Sequence, residues 1–191
     1  MHTITRLGAA ILALAACAAG PAFAGPTGVE IAPEVRIYGG AAEQIDLGRW
    51  AVRRFEAAGL TAPAVEIHFH AGRSGCKGNI GWAEDGRIDV CTTMVNTYSR
   101  RVMLHEIGHT WLDANVDDSL RERFLELRGL RAWNATSDPW RLRGYEQAAE
   151  VMAWGLGERI ITPTMSDSAP PAIAVAYELL TGSAMSPAPL A

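Results

Sequence analysis

Cysteine is scarce in this chain, with three in 191 residues. There is no C-x-x-C pair, and no third cysteine stands near Cys76 and Cys91, so a cysteine-rich zinc site is disfavoured. Basic runs are missing too. With a formal charge of −4 and a pI near 5.7, the composition argues against a nucleic-acid partner. No internal repeat is visible, which sets aside solenoid and propeller architectures. Beyond the N-terminus no apolar run is long enough for a transmembrane helix.

The N-terminus itself reads as an export signal over residues 1–24. Arg6 precedes an apolar stretch, Leu7 to Ala16, and Ala22-Phe23-Ala24 forms an A-x-A cleavage site before Gly25. The expected destination is outside the cell or the periplasm. A second reading stays open: Leu14-Ala15-Ala16-Cys17 is also a lipobox, in which Cys17 is lipidated and the chain is anchored to the cell envelope. Either way the mature domain keeps Cys76 and Cys91 as an even pair. An exported chain meets an oxidising compartment, so a Cys76–Cys91 disulfide is the default expectation. It ties a glycine-rich hairpin (Gly72, Gly75, Gly78, Gly81, Gly86) to the strand that follows.

What remains, 25–191, is about 165 residues and one domain's worth. Its pattern predicts strands over Glu34 to Tyr38 and Ala64 to His70, a hairpin and strand over Lys77 to Thr93, and a first helix over Ala41 to Ala58. Further helices are predicted over Ser99 to Asp113, Asp117 to Arg128, from Gly144 to Leu156, and from about Pro171 to Leu180. A loop runs to about Arg143, and a frayed tail starts at about 182. Strands first and helices after indicate an α+β fold with a small sheet packed on helices.

The most informative residues are His105-Glu106-Ile107-Gly108-His109, an H-E-x-x-H. A helix advances about 100° per residue, so residues i and i+4 share a face and both imidazoles reach one metal ion. Glu106, one step round, is placed to act on a water bound there. Leu104, Ile107, Trp111 and Leu112 supply a buried face, and Ser99 reads as the N-cap. Gly108 costs about 1 kcal/mol in a helix interior, which points to close packing behind the metal. The alternating strand Arg87 to Thr93 offers an edge to which an extended peptide could add.

A catalytic zinc takes three protein ligands and keeps a fourth position open. A third histidine six residues on is lacking: Leu112 and Asn115 stand where H-E-x-x-H-x-x-G-x-x-H requires Gly and His. His68 and His70 alternate with Ile67 and Phe69 and read as a solvated strand face. Glu146 and Glu150 lie four apart on a later helix. This like-charge spacing is mildly unfavourable unless something positive sits between.

H-E-x-x-H followed by E-x-x-x-E resembles the gluzincin group of zinc metallopeptidases, from Ser99 to Leu156. The resemblance implies a compact zincin-like domain without the second subdomain of thermolysin. It also implies one Zn²⁺ per chain held by His105, His109 and Glu146, with Glu106 as the base and Glu150 orienting a ligand imidazole. The implied activity is hydrolysis of a peptide or protein substrate by a secreted metalloendopeptidase. No counterpart of an oxyanion-stabilising residue is evident. Tyr145 and Tyr98 are candidates, with packing at a helix end as their other role. The rival reading is a catalytically inactive zincin-like domain whose zinc is structural or whose fold serves binding.

Overall fold

The computed structural model describes residues 28–157, 165 and 167–185. The expected signal peptide, Cys17 and the tail beyond 185 lie outside the described residues. Two strands open the fold, β1 (Val29–Ala32) and β2 (Val35–Tyr38), joined by a turn at Pro33-Glu34 in which Glu34 takes φ 67°. Helix α1 (Ala42–Ala57) leads to β3 (Val65–Phe69), and a 3₁₀ turn at Arg73–Cys76 precedes the hairpin β4 (Gly81–Glu84) and β5 (Arg87–Val90). Helices α2 (Thr97–Asn115), α3 (Asp118–Arg128), α4 (Gly144–Leu156) and α5 (Pro170–Thr181) follow, with a 3₁₀ turn at Trp140–Leu142 before α4. The architecture is α+β, as the order of elements implies. The sequence reading omitted β1 and both 3₁₀ turns.

The five strands run in the order β1-β2-β3-β5-β4. β2, β3 and β5 are parallel, whereas β1 and β4 pair antiparallel at the two edges. β5 is therefore an interior strand with both sides paired. This corrects the expectation that its edge is free, because the open edge on that side belongs to β4.

The period-2 alternation of the strands divides the sheet into an apolar and a polar face. Val35, Ile37, Val65, Ile67, Ile88 and Val90 are buried in one cluster with Leu47, Ala51 and Phe55 of α1 and Met103, Leu104 and Ile107 of α2. On the opposite face one row reads Glu30, Arg36, Glu66, Arg87, Glu84 across all five strands, so each charge has opposite neighbours. His68 belongs to the next row, its ring stacked 4.5 Å from Tyr38. His70 Nε2 lies 2.6 Å from Asp89 Oδ1, and Arg87 donates to the same carboxylate. Both histidines thus serve the polar side of the sheet.

The Cys76–Cys91 disulfide is formed, joining the 3₁₀ turn before β4 to the residue after β5. It fixes the two ends of the hairpin to each other. Among the described residues no helix is long and apolar enough to cross a membrane.

Candidate metal centre

Helix α2 starts two residues earlier than its pattern predicts. Asn96 is the cap: its Oδ1 accepts from the backbone N–H of Tyr98 at 2.9 Å and of Ser99 at 3.0 Å. Ser99 is the third helical residue, and its hydroxyl accepts from the Asn96 N–H at 2.8 Å. The two residues form a reciprocal box, so the expected cap at Ser99 is corrected to its partner.

The helix then carries His105, Glu106 and His109 beneath α4. The approach is close because residue 108 has no side chain. A Cβ there would stand 3.3 Å from Met152 Cβ and 3.5 Å from the Ala149 carbonyl oxygen. The cost of a glycine in a helix interior is thus offset by the packing of α4. Glu146 lies in the first turn of α4 and Glu150 one turn on, both facing α2.

His105 Nε2, His109 Nε2 and Glu146 Oε2 form a triangle with sides of 3.1, 3.2 and 3.2 Å. Tetrahedral ligands about 2.0–2.1 Å from zinc stand about 3.3–3.4 Å apart, so these three atoms match one face of such a tetrahedron. They are the group among the described residues whose ligand atoms converge as a metal site requires.

Burial makes the electrostatics severe. His105, Glu106 and His109 are each under a tenth exposed and Glu150 is almost fully buried. Carboxylates so placed need positive partners. Arg101, one turn before His105, supplies one: its Nε donates to Glu150 Oε2 at 3.0 Å, and Nη2 pairs with Oε1. Glu150 Oε1 in turn stands 3.2 Å from His105 Nδ1, off the line of a formed hydrogen bond. Nδ1 of His109 is likewise buried without a partner.

The pKa shifts reflect this crowding. Burial opposes a charge on His105, but Glu146 and Glu150 outweigh it and raise the imidazole to about 10. Burial also resists ionisation of Glu146 and Glu150. The histidines nonetheless hold Glu146 below the ordinary carboxylate range, and His105 with Arg101 does so for Glu150. Glu106 is pushed up, chiefly by burial. Two imidazoles and one carboxylate that converge on one point form a donor set that could hold a divalent ion.

The cluster lies at the floor of a cleft of about 850 Å³. One wall is β4. A Cβ on Gly81 would stand 2.2 Å from Glu106 Oε1, so the carboxylate of Glu106 rests against the bare backbone of the edge strand. Cys91 N–H donates to the Ile80 carbonyl at 2.7 Å. By antiparallel alternation Trp82 and Glu84 also bond toward β5, while the amide groups of Gly81 and Ala83 turn to the cleft.

The opposite wall includes Trp140, 5.9 Å from the His105 ring and partly exposed. Trp133 is packed instead among Phe124 and Tyr145. Of the two tyrosines, Tyr145 donates its hydroxyl to Asp113 Oδ2 at 2.8 Å and packs 4.1 Å from the His109 ring. Burial and the Asp113 carboxylate push its phenol far up, keeping it protonated. Tyr98 lies at the cleft mouth, about half exposed.

Sequence reasoning missed Arg101 and Gly81. Arg101 had a legible signal, the i−4 spacing from His105 that places it on the face of α2 that carries His105 and His109. Gly81 had none, being one of several regularly spaced glycines. Compared with protein-family models, curated proteins and solved structures, the chain matches none.

Proposed function

We propose that the protein is a zinc-dependent metallopeptidase of gluzincin type, acting on peptide or protein substrates outside the cytoplasm. The observation that carries the reading is the triangle of His105, His109 and Glu146 with Glu106 beside it at the floor of an open cleft. A structural zinc site is closed by four protein ligands and needs no acid at its side.

His105, His109 and Glu146 would hold the ion, and Glu150, clamped by Arg101, orients the His105 ring. A bound Zn²⁺ supplies Lewis acidity, polarising the substrate carbonyl and acidifying the attacking water. Glu106 takes the proton from that water. The same group can return the proton to the departing amine. The outward amides of Gly81 and Ala83 provide a template for an extended peptide chain. Trp140 and Tyr98 offer aromatic faces to its side chains.

The reading is tested by metal analysis of the purified protein together with a peptide-mixture cleavage assay. About one zinc per chain and cleavage abolished by a chelator are expected. A protein that binds zinc yet cleaves no peptide would move the assignment to a non-catalytic binding domain.

A further inference from the structure

The cleft has charged ends of opposite sign. At the end of the cleft where β4 starts, Arg73 of the 3₁₀ turn is among the lining residues, and its backbone carbonyl accepts from the Gly78 N–H at 2.9 Å. At the far end of β4, Asp85 sits in the β4–β5 turn and lines the same cleft. Most other charges on the walls are engaged: Arg101 by Glu150, Glu84 by Lys77, Arg143 by the carbonyls of Asp138 and Thr136, and Asp113 by the hydroxyl of Tyr145. The side chains of Arg73 and Asp85 have no hydrogen-bond or ion-pair partner among the described residues. Unpaired charges at a cleft's ends are available to a ligand and select it by complementarity.

The direction of β4 gives this polarity a meaning. A peptide pairing antiparallel with β4 runs from Asp85 toward Arg73, so its amino side meets the acid and its carboxyl side the base. A parallel peptide would place each end against its own sign. Gly81, where Glu106 touches the strand, marks the reacting position. From there Asp85 is about 13 Å away along the strand, and Arg73 lies on the other side, in the 3₁₀ turn that the Cys76–Cys91 bridge ties to the residue after β5.

We propose that the cleft selects extended peptides with a cationic group about four residues to the amino side of the cut and an anionic group to its carboxyl side. Arg73 and Asp85 are the residues that read them. This names the substrate class of the site assigned above and rests on that reading for the place of the cut, whereas the charge selection can be measured without turnover.

The test uses the full zinc-loaded chain carrying Glu106→Gln and isothermal titration calorimetry. Two blocked peptides of identical composition are compared, each with the same neutral core. One has Lys on the amino side and Glu on the carboxyl side, and the other has the two exchanged. Because net charge and hydropathy are equal, only polarity differs. The Lys-first peptide should bind about tenfold tighter, with the gap shrinking at high salt. Adding Arg73→Glu and Asp85→Lys should invert the preference. Equal affinities, a preference that survives the double reversal, or no binding of either peptide would each overturn the proposal. Cleavage of the neutral core alone by wild type reports separately on the peptidase reading.

Discussion

Gly81 of β4 and Glu106 of α2 are in direct contact, the strand's backbone lying where a Cβ would come within 2.2 Å of Oε1 and 2.7 Å of Cγ of the carboxylate side chain. The residue proposed as base is therefore held between α2 and the edge strand that would carry a substrate. A methyl group at 81 displaces Glu106 without touching the ligand triangle. Gly81→Ala should fold and keep its zinc, while turnover of a reference peptide falls by about tenfold or more. Metal content and kcat/KM on one preparation check this, and unchanged turnover would remove the contact from the account.

The later helix carries two acids with different work. In the proposed site Glu146 would supply a ligand atom and Glu150 would orient His105, so Glu146→Gln should lose most of the zinc. Glu150→Gln should weaken zinc binding by about 10–100-fold. Arg101→Met leaves the buried Glu150 charge without its cation and should cost about 3–5 kcal/mol of stability, read by denaturant unfolding. The double variant Arg101→Met, Glu150→Gln should be more stable than Arg101→Met alone. Greater zinc loss from Glu150→Gln than from Glu146→Gln would reverse the two roles.

Without metal, Glu146 and Glu150 push the imidazole of His105 up from 6.5 to about 10. A raised value means that the bound proton stabilises the fold. That contribution is complete below about pH 6.5 and is lost as pH rises toward about 10. Glu146, whose value is lowered, contributes above its ordinary value of 4.5, and that share is lost as pH falls below it. The proton on His105 also competes with the ion. Apparent zinc affinity should rise about tenfold per pH unit between pH ~6 and ~9 instead of levelling off near 7. Competition titrations against a chelator of known affinity would show the slope, and a plateau above pH ~7 would contradict it.

The disulfide closes a loop of 15 residues that includes the cleft wall from Gly78 to Glu84. Replacing both cysteines with serine should cost about 3 kcal/mol. Thermal unfolding with and without reductant reads the effect directly, and an unchanged midpoint would mean that the hairpin is held by its other contacts.

The fold was legible where chemistry is local. The strands at Val35, Val65 and Arg87 and the helices α1 to α5 follow from alternation, apolar stripes and Gly or Pro at their ends. The convergence of His105, His109 and Glu146 was legible because i,i+4 spacing is a property of one helix, and because Glu146 and Glu150 share another. Gly108 foretold the approach of α4. What could not be read was non-local. β3 pairs in parallel with β5 and skips β4, so no sequence neighbour signals that β4 takes the edge. Arg101 and Glu150 are 49 positions apart and meet only once α2 and α4 pack. The cap went astray because Asn96 and Ser99 are both cap formers three residues apart, and either alone fits the pattern.

The central claim is that Glu106 is the base of a metal-dependent hydrolysis, and one substitution isolates it. Glu106→Gln keeps the shape and hydrogen bonding of the side chain but cannot accept the proton. Zinc content and thermal midpoint should match wild type, while turnover on the same peptide mixture falls by about 10²–10⁴-fold. Cleavage at the wild-type rate by the zinc-loaded Gln variant would contradict the account.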